Sequence, residues 1–123
     1  PCVAKGSAWM KRILFIDDEE ANLRFFKMMF DDFAMIDTAE SPNEGWELLK
    51  AVQYDVVIAD HRMPEETGMS FLARVAERWP SAVRALSSAF IDHADLRSAQ
   101  SKAVDFYLEK PWEMSEFKEL IER

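Results

Sequence analysis

The stretch Tyr54-Asp55-Val56-Val57-Ile58-Ala59-Asp60 decides the fold. It is an apolar strand that ends abruptly in a carboxylate. The chain then runs at once into His61-Arg62-Met63-Pro64, with Gly68 close behind. Two further stretches repeat the pattern. Upstream, Ile13-Leu14-Phe15-Ile16 ends in Asp17-Asp18-Glu19; downstream, a strand-like run ends in Lys110-Pro111. Carboxylates and a lysine at the C-terminal ends of several apolar strands point to one shared site that handles phosphoryl groups with a metal.

Around these runs, strand and helix patterns alternate along the chain. Strands are predicted over Arg12–Asp17, Ala34–Thr38, Asp55–Asp60, Ala82–Ser88 and Val104–Glu109. Most are apolar throughout instead of alternating, which predicts burial on both faces of a parallel sheet. Arg84 and Asp105 interrupt that pattern and predict positions near edges. Helices are predicted between the strands. Ala21–Asp31 carries Leu23, Phe26 and Phe30 on one face, with Phe25 and Met29 widening the stripe beyond what one face can bury. Ser41-Pro42-Asn43-Glu44 reads as an N-cap, a first-turn proline and a capping-box acid, opening a helix that presents Trp46, Leu49 and Val52. Met69–Arg78 stops before Pro80. Asp92–Ser101 is a poor helix anchored by Leu96 and a few alanines, and Met114–Arg123 is the last. The order predicts an α/β architecture: a doubly wound, five-stranded parallel sheet with five helices. In such sheets the functional crevice lies beyond the carboxyl ends of the strands, where Asp17, Asp18, Asp60, Ser88 and Lys110 fall.

A chain of 123 residues, 49% of them hydrophobic, suffices for one domain with a real core. Its 15 basic against 23 acidic residues give a formal charge of −8, which argues against direct contact with nucleic acid. The absence of a basic run argues against an anionic membrane surface. No apolar stretch approaches the roughly 20 residues of a membrane span, and no secretory h-region is present, so the cytoplasm is the expected location. Cys2 is the only cysteine and has no internal partner. Residues 1–9 read as an appended or linker tail, Met10 as the native start, and residues 10–123 as the domain. The end at Arg123, inside a predicted helix, suggests a piece of a longer protein.

Three carboxylates brought together repel one another unless a cation intervenes. A hard divalent ion such as Mg2+ takes oxygen ligands and keeps several waters, so Asp17, Asp18 and Asp60 suit it, with the backbone carbonyl of Arg62 as a further ligand. Asp60 can also act as a nucleophile, forming an acyl phosphate. Phosphoryl transfer depends on positioning and on neutralising the equatorial oxygens. Lys110 can reach one of them as a mobile point charge. Ser88 or Ser87 can donate to another; strand alternation aims the two serines oppositely, and Leu86-Ser87-Ser88-Ala89 alone does not choose.

Over residues 11–123 the chain resembles the receiver domain of two-component response regulators. The resemblance rests on Asp17-Asp18-Glu19, on Asp60 followed by Met63-Pro64 and Gly68, on Ser88-Ala89, and on Tyr107 with Lys110-Pro111. It implies a flavodoxin-like strand order of 2-1-3-4-5. It implies Asp60 as phosphoacceptor, Asp17 and Asp18 as the acidic pocket for Mg2+ (or Mn2+), and Lys110 as the phosphate lysine. It selects Ser88 as the switch hydroxyl and Tyr107 as the switch aromatic, and implies a cis bond at Lys110-Pro111. Glu66-Thr67 departs from the family's usual residues before the glycine. Lys110-Pro111-Trp112, with Arg78-Trp79-Pro80, is similar to receivers attached to hydrogenase-type transcription regulators or cyclic-dinucleotide phosphodiesterases.

The implied partners are a sensor histidine kinase or phosphotransfer protein, an output domain in the full-length protein, and a second copy through the face of the fourth helix, fifth strand and fifth helix. The expected readout surface surrounds Phe90, His93, Phe106 and Trp112; His61 and His93 are expected to face solvent. Such a domain is no multi-turnover enzyme but catalyses its own phosphorylation and dephosphorylation at Asp60. Other readings are an aspartate-nucleophile phosphohydrolase of the haloacid-dehalogenase type, a flavin- or nucleotide-binding module and a degenerate receiver. The first would place Asp-x-Asp after the first strand. The second would not place Asp17-Asp18-Glu19-Glu20 in a phosphate loop. The third is disfavoured because every site position is filled.

Overall fold

The computed structural model describes residues 10–89 and 97–122. The elements are β1 (Arg12–Ile16), α1 (Glu20–Phe30), β2 (Met35–Ala39), α2 (Pro42–Ala51), β3 (Val56–Asp60), α3 (Gly68–Arg78), β4 (Val83–Ser88), a 3-10 turn (Ala99–Ala103), β5 (Phe106–Glu109) and α4 (Met114–Ile121). All strand pairs are parallel, and the sheet order is β2-β1-β3-β4-β5, as expected.

The apolar strands form the wall between two cores because their side chains alternate faces. Ile13 and Phe15 of β1, with Val56 and Ile58 of β3, meet Leu23, Phe26 and Phe30 of α1 and Phe117 and Leu120 of α4. Leu14 and Ile16, with Val57 and Ala59, meet Leu49 of α2 and Phe71, Leu72 and Val75 of α3. Each such side chain, fully buried, contributes roughly 1.5–3 kcal/mol. The first layer is aromatic: Phe15 stacks on Phe26 at 4.1 Å between ring centroids, and Phe30 on Phe117 at 3.9 Å. Helix α1 has more large apolar residues than it can bury, so Phe25 is 51% and Met28 74% exposed.

Local signals set the helix starts. Ser41 Oγ accepts the Glu44 N–H at 3.1 Å, Pro42 occupies the first turn, and Glu44 Oε1 reaches back to the Glu40 N–H. Thr67 Oγ1 caps α3 through the Ser70 N–H. Gly68 opens that helix directly against the end of β3: its N–H donates to His61 O, and a methyl group there would overlap the Asp60 carbonyl. Only a residue without Cβ allows this approach, which brings α3 hard against the site strand.

Three expectations change. The fourth helix, Asp92–Ser101, lies partly outside the described residues. Of its predicted span the structure describes Arg97, which is helical, and the start of the 3-10 turn, which buries no side chain; four α-helices are delimited among the described residues where five were expected. Arg84 is not near a sheet edge; β4 is flanked by β3 and β5. Its charge is tolerated because the guanidinium donates to the carbonyls of Ala103, Ala82 and Pro80 at 2.6, 2.7 and 3.2 Å, pinning the turn beneath the sheet. Strand β5 starts at Phe106, after Asp105, whose carboxylate accepts the Arg84 N–H at 2.9 Å.

Candidate functional site

The parallel register puts the predicted side chains together. Asp17 follows β1, Asp60 ends β3, Ser88 ends β4 and Lys110 follows β5, all at the carboxyl edge. One carboxylate oxygen from each of Asp17, Asp18 and Asp60 can lie within 4.8 Å of the others. Asp17 is 1% and Asp60 6% exposed, while Asp18 faces solvent. Lys110 Nζ lies 2.7 Å from Asp60 Oδ1 and 3.5 Å from Asp17 Oδ2. The second Asp60 oxygen accepts the Arg62 N–H at 3.2 Å. A pocket of about 270 Å³ opens over this group, lined by Asp18, Glu19, Asp60, Arg62, Ser88, Ala89 and Lys110.

The charges do not balance. Burial pushes the Asp60 carboxyl above the ordinary carboxylate range and Asp17 pushes it further, against the bond and charge of Lys110. For Lys110, burial disfavours the ammonium, but the bonds and charges of Asp60 and Asp17 outweigh it and the pKa is raised. The pair thus keeps the lysine charged, while burial, with Asp17 behind it, leaves Asp60 shifted toward its neutral acid. Three carboxylates around one ammonium, open to solvent on one side, fit a hard divalent cation with oxygen ligands and retained waters. The acids are not consumed in capping either: α1 has no side-chain N-cap, and Asp17 Oδ1 accepts the Glu19 N–H outside the helix.

The two serines separate as strand alternation requires. Ser88 lines the pocket, whereas Ser87 Oγ accepts the Trp112 Nε1–H at 2.9 Å on the other side of the strand. Tyr107 is half-buried beside Leu86 on the α3 side, and Lys110 N donates to Ser88 O. The Lys110-Pro111 bond is cis.

Trp112 is not a surface residue: it is 8% exposed, set edge-on to Phe15 and Phe26 and anchored by Ser87. An indole after a strand end reads equally well as surface or core until a buried acceptor for its N–H is known. His61 is half-buried instead of solvent-facing, with its Nδ1 buried. Phe90 and His93 lie outside the described residues. Sequence reasoning missed Asn22, whose amide donates to Asp17 Oδ2 at 3.1 Å and Glu19 Oε1 at 2.9 Å. Its spacing of three from Glu19, in the first turn of a helix, was the available signal.

The family model of the response regulator receiver domain matches residues 13–122, and the chain belongs to that family. It is a receiver domain of a two-component response regulator. It is 34% identical over 101 residues to the hydrogenase transcriptional regulatory protein HoxA of Cupriavidus necator, covering 81% of this chain and 21% of that protein. It is 32% identical over 124 residues to the DNA-binding transcriptional regulator NtrC of Proteus hauseri, covering 97% of this chain and 24% of that one. The chain therefore spans about a fifth to a quarter of these relatives. Among solved structures, the response regulator TrrA of Thermotoga maritima, crystallised in complex with Mg2+-BeF, superposes with a TM-score of 0.81 at 30% identity, covering 92% of this chain and 97% of that one. Vibrio cholerae CheY4 shares the fold, with a TM-score of 0.82 at 19% identity over 93% of this chain and 98% of that one. Among the described residues no helix is long and apolar enough to cross a membrane.

Proposed function

We propose that Asp60 is the phosphoacceptor of this receiver, that the domain works in the cytoplasm, and that a sensor histidine kinase or phosphotransfer protein is its donor. The observation that carries this reading is the Asp60 carboxylate, held 2.7 Å from Lys110 Nζ beside Asp17 and Asp18 at the floor of an open pocket. An Asp60 oxygen attacks phosphorus; a P–O bond forms as the P–N bond of a phosphohistidine breaks, and the imidazole nitrogen keeps the electron pair. Lys110 follows the charge onto a phosphoryl oxygen, and the Ser88 hydroxyl donates to another. Asp17, Asp18, Asp60 and the Arg62 carbonyl would hold Mg2+ (or Mn2+), which when bound neutralises charge on the phosphoryl oxygens. Hydrolysis by water returns the carboxylate, so the domain catalyses its own phosphorylation and dephosphorylation without turning over a diffusing substrate.

Movement of Ser88 toward the phosphoryl group, with Tyr107 turning into the space it leaves, changes the surface around the 3-10 turn, β5 and α4. That surface serves an output domain or a second copy of the receiver. The relatives' printed roles in transcription support an output domain of that kind.

With Mg2+ and acetyl phosphate the wild type should gain one alkali-labile phosphate by mass spectrometry, and Asp60→Asn should gain none. Uptake of phosphate at another residue, or rapid multi-turnover release from unrelated esters, would sink the proposal. Ser88→Ala should still be phosphorylated yet lose the phosphorylation-dependent association.

A further inference from the structure

We infer that Asn22 is a positioning residue for the cation pocket: its side-chain amide aims Asp17 and tethers Glu19 beside it. The inference rests on the metal reading above.

The geometry is specific. Asp17 is buried, and its two oxygens are claimed from opposite sides. Oδ1 takes the Glu19 N–H at 3.0 Å, and Oδ2 takes the Asn22 amide at 3.1 Å with Lys110 Nζ at 3.5 Å. Neutral donors on both oxygens fix the plane of the carboxylate. Without Asn22, Lys110 would be the one side-chain contact left on Oδ2 among the described residues, and the carboxylate could swing toward the ammonium. The lysine would then be shared more evenly between Asp17 and Asp60.

The same amide nitrogen also donates to Glu19 Oε1 at 2.9 Å. Glu19 lines the pocket and would otherwise be free to approach as a fourth carboxylate. A single neutral group thus orders two acids that repel each other, and it stands on α1, a helix anchored in the aromatic core by Leu23 and Phe26. Partners of this kind, which orient a ligand without touching the metal, typically carry 10–100-fold in metal affinity.

The test is a calorimetric Mg2+ titration of wild type, Asn22→Leu and Asn22→Gln, with thermal melts to show that each is folded. Asn22→Leu should bind Mg2+ about tenfold more weakly or worse, and Asn22→Gln, which keeps the N–H donors, should recover most of the loss. In an Asp17→Asn background, Asn22→Leu should add little, because the carboxylate it aims is gone. Binding by Asn22→Leu within about twofold of wild type would overturn the inference, as would equal weakening in Asn22→Gln. If the wild type bound no Mg2+, the metal reading would fail, and this inference with it.

Discussion

The two ends of the sheet use the same residue types to opposite ends. At the amino edge, each carboxylate has its own hydrogen-bond donor. The Arg12 N–H donates to Asp55 Oδ2 at 2.8 Å, and its side chain lies 3.7 Å from Asp37 Oδ2. The Tyr54 hydroxyl donates to the same Asp37 oxygen at 2.6 Å, and Arg84 is met by three carbonyls and by Asp105. At the carboxyl edge, three carboxylates share one lysine, and Asp60 is pushed toward its neutral form. A matched network holds the fold; an unmatched one stores a demand for positive charge that a cation and a phosphoryl donor can meet. Substitutions at the amino edge should therefore cost stability and spare chemistry, and those at the carboxyl edge should do the reverse.

The largest effect is expected at Arg84. Arg84→Met keeps the aliphatic packing and the backbone bond to Asp105, but leaves three carbonyls without their donor and Asp105 without the guanidinium, in surroundings where only 11% of the arginine side chain is exposed. Breaking such a site should cost about 2–4 kcal/mol. Urea denaturation should show the loss, while the rate of phosphorylation by acetyl phosphate in the absence of urea should stay near wild type. A stable variant with slow phosphorylation would erase the division between the two ends.

Asp60→Asn tests the other edge. Removing one of the crowded carboxylates should stabilise the metal-free protein at neutral pH, since the repulsion is relieved and Lys110 still has Asp17 beside it. The sign follows from the raised pKa of Asp60, which means that the native state favours the protonated acid. The stabilisation from that neutral form is complete below the ordinary carboxylate range and is lost as pH rises through the raised value. The advantage of the variant over wild type should thus be full at neutral pH and shrink on acidification. Adding Mg2+ should raise the melting temperature of the wild type more than that of the variant, because a ligand stabilises only the state that binds it. A variant less stable than wild type at neutral pH without metal would show that the carboxyl edge is not electrostatically crowded.

These contrasts also mark what the sequence could reveal. Strand-end carboxylates were legible because burial on both faces demands apolar runs, so a charge that stops the run stands out. The division of Ile13 and Phe15 from Leu14 and Ile16 between the two cores is the alternation of a strand buried on both faces. The strand order came only with the resemblance, since parallel strands can be arranged in several orders with identical local patterns. Arg84 was misread because a charge in a strand usually marks an edge, and the carbonyls that satisfy it come from segments before and after the strand. Strand alternation alone could not choose between Ser87 and Ser88; the resemblance chose Ser88, and the Trp112 N–H gives the physical reason by claiming Ser87. Asn22 was missed for a related reason. Its spacing from Glu19 hints at a helical pair, but the bond to Asp17 shows only once the strand end is placed beside the helix.

Tyr54→Phe gives the smallest and most selective break. Tyr54 is buried, and its hydroxyl is one of two groups facing Asp37 Oδ2. Burial, and then the Asp37 bond and charge, push its pKa above the ordinary phenol range, so it remains a donor wherever the protein is folded at neutral pH. Removing the hydroxyl should cost about 1 kcal/mol, less than a fully buried charged bond, because Arg12 and solvent still reach Asp37. The pH dependence fixes the cause. The native state holds a proton that the unfolded tyrosine releases above about pH 10, so the hydroxyl's contribution is intact below that pH and is lost above it. Denaturation of the two proteins from neutral to alkaline pH should show a constant gap that closes only at the alkaline end. Asp60 phosphorylation should not change across the pair, since the substitution lies at the opposite edge of the sheet. A gap that closed toward acid instead would mean that Asp37, and not Tyr54, is the group whose ionisation the amino edge depends on.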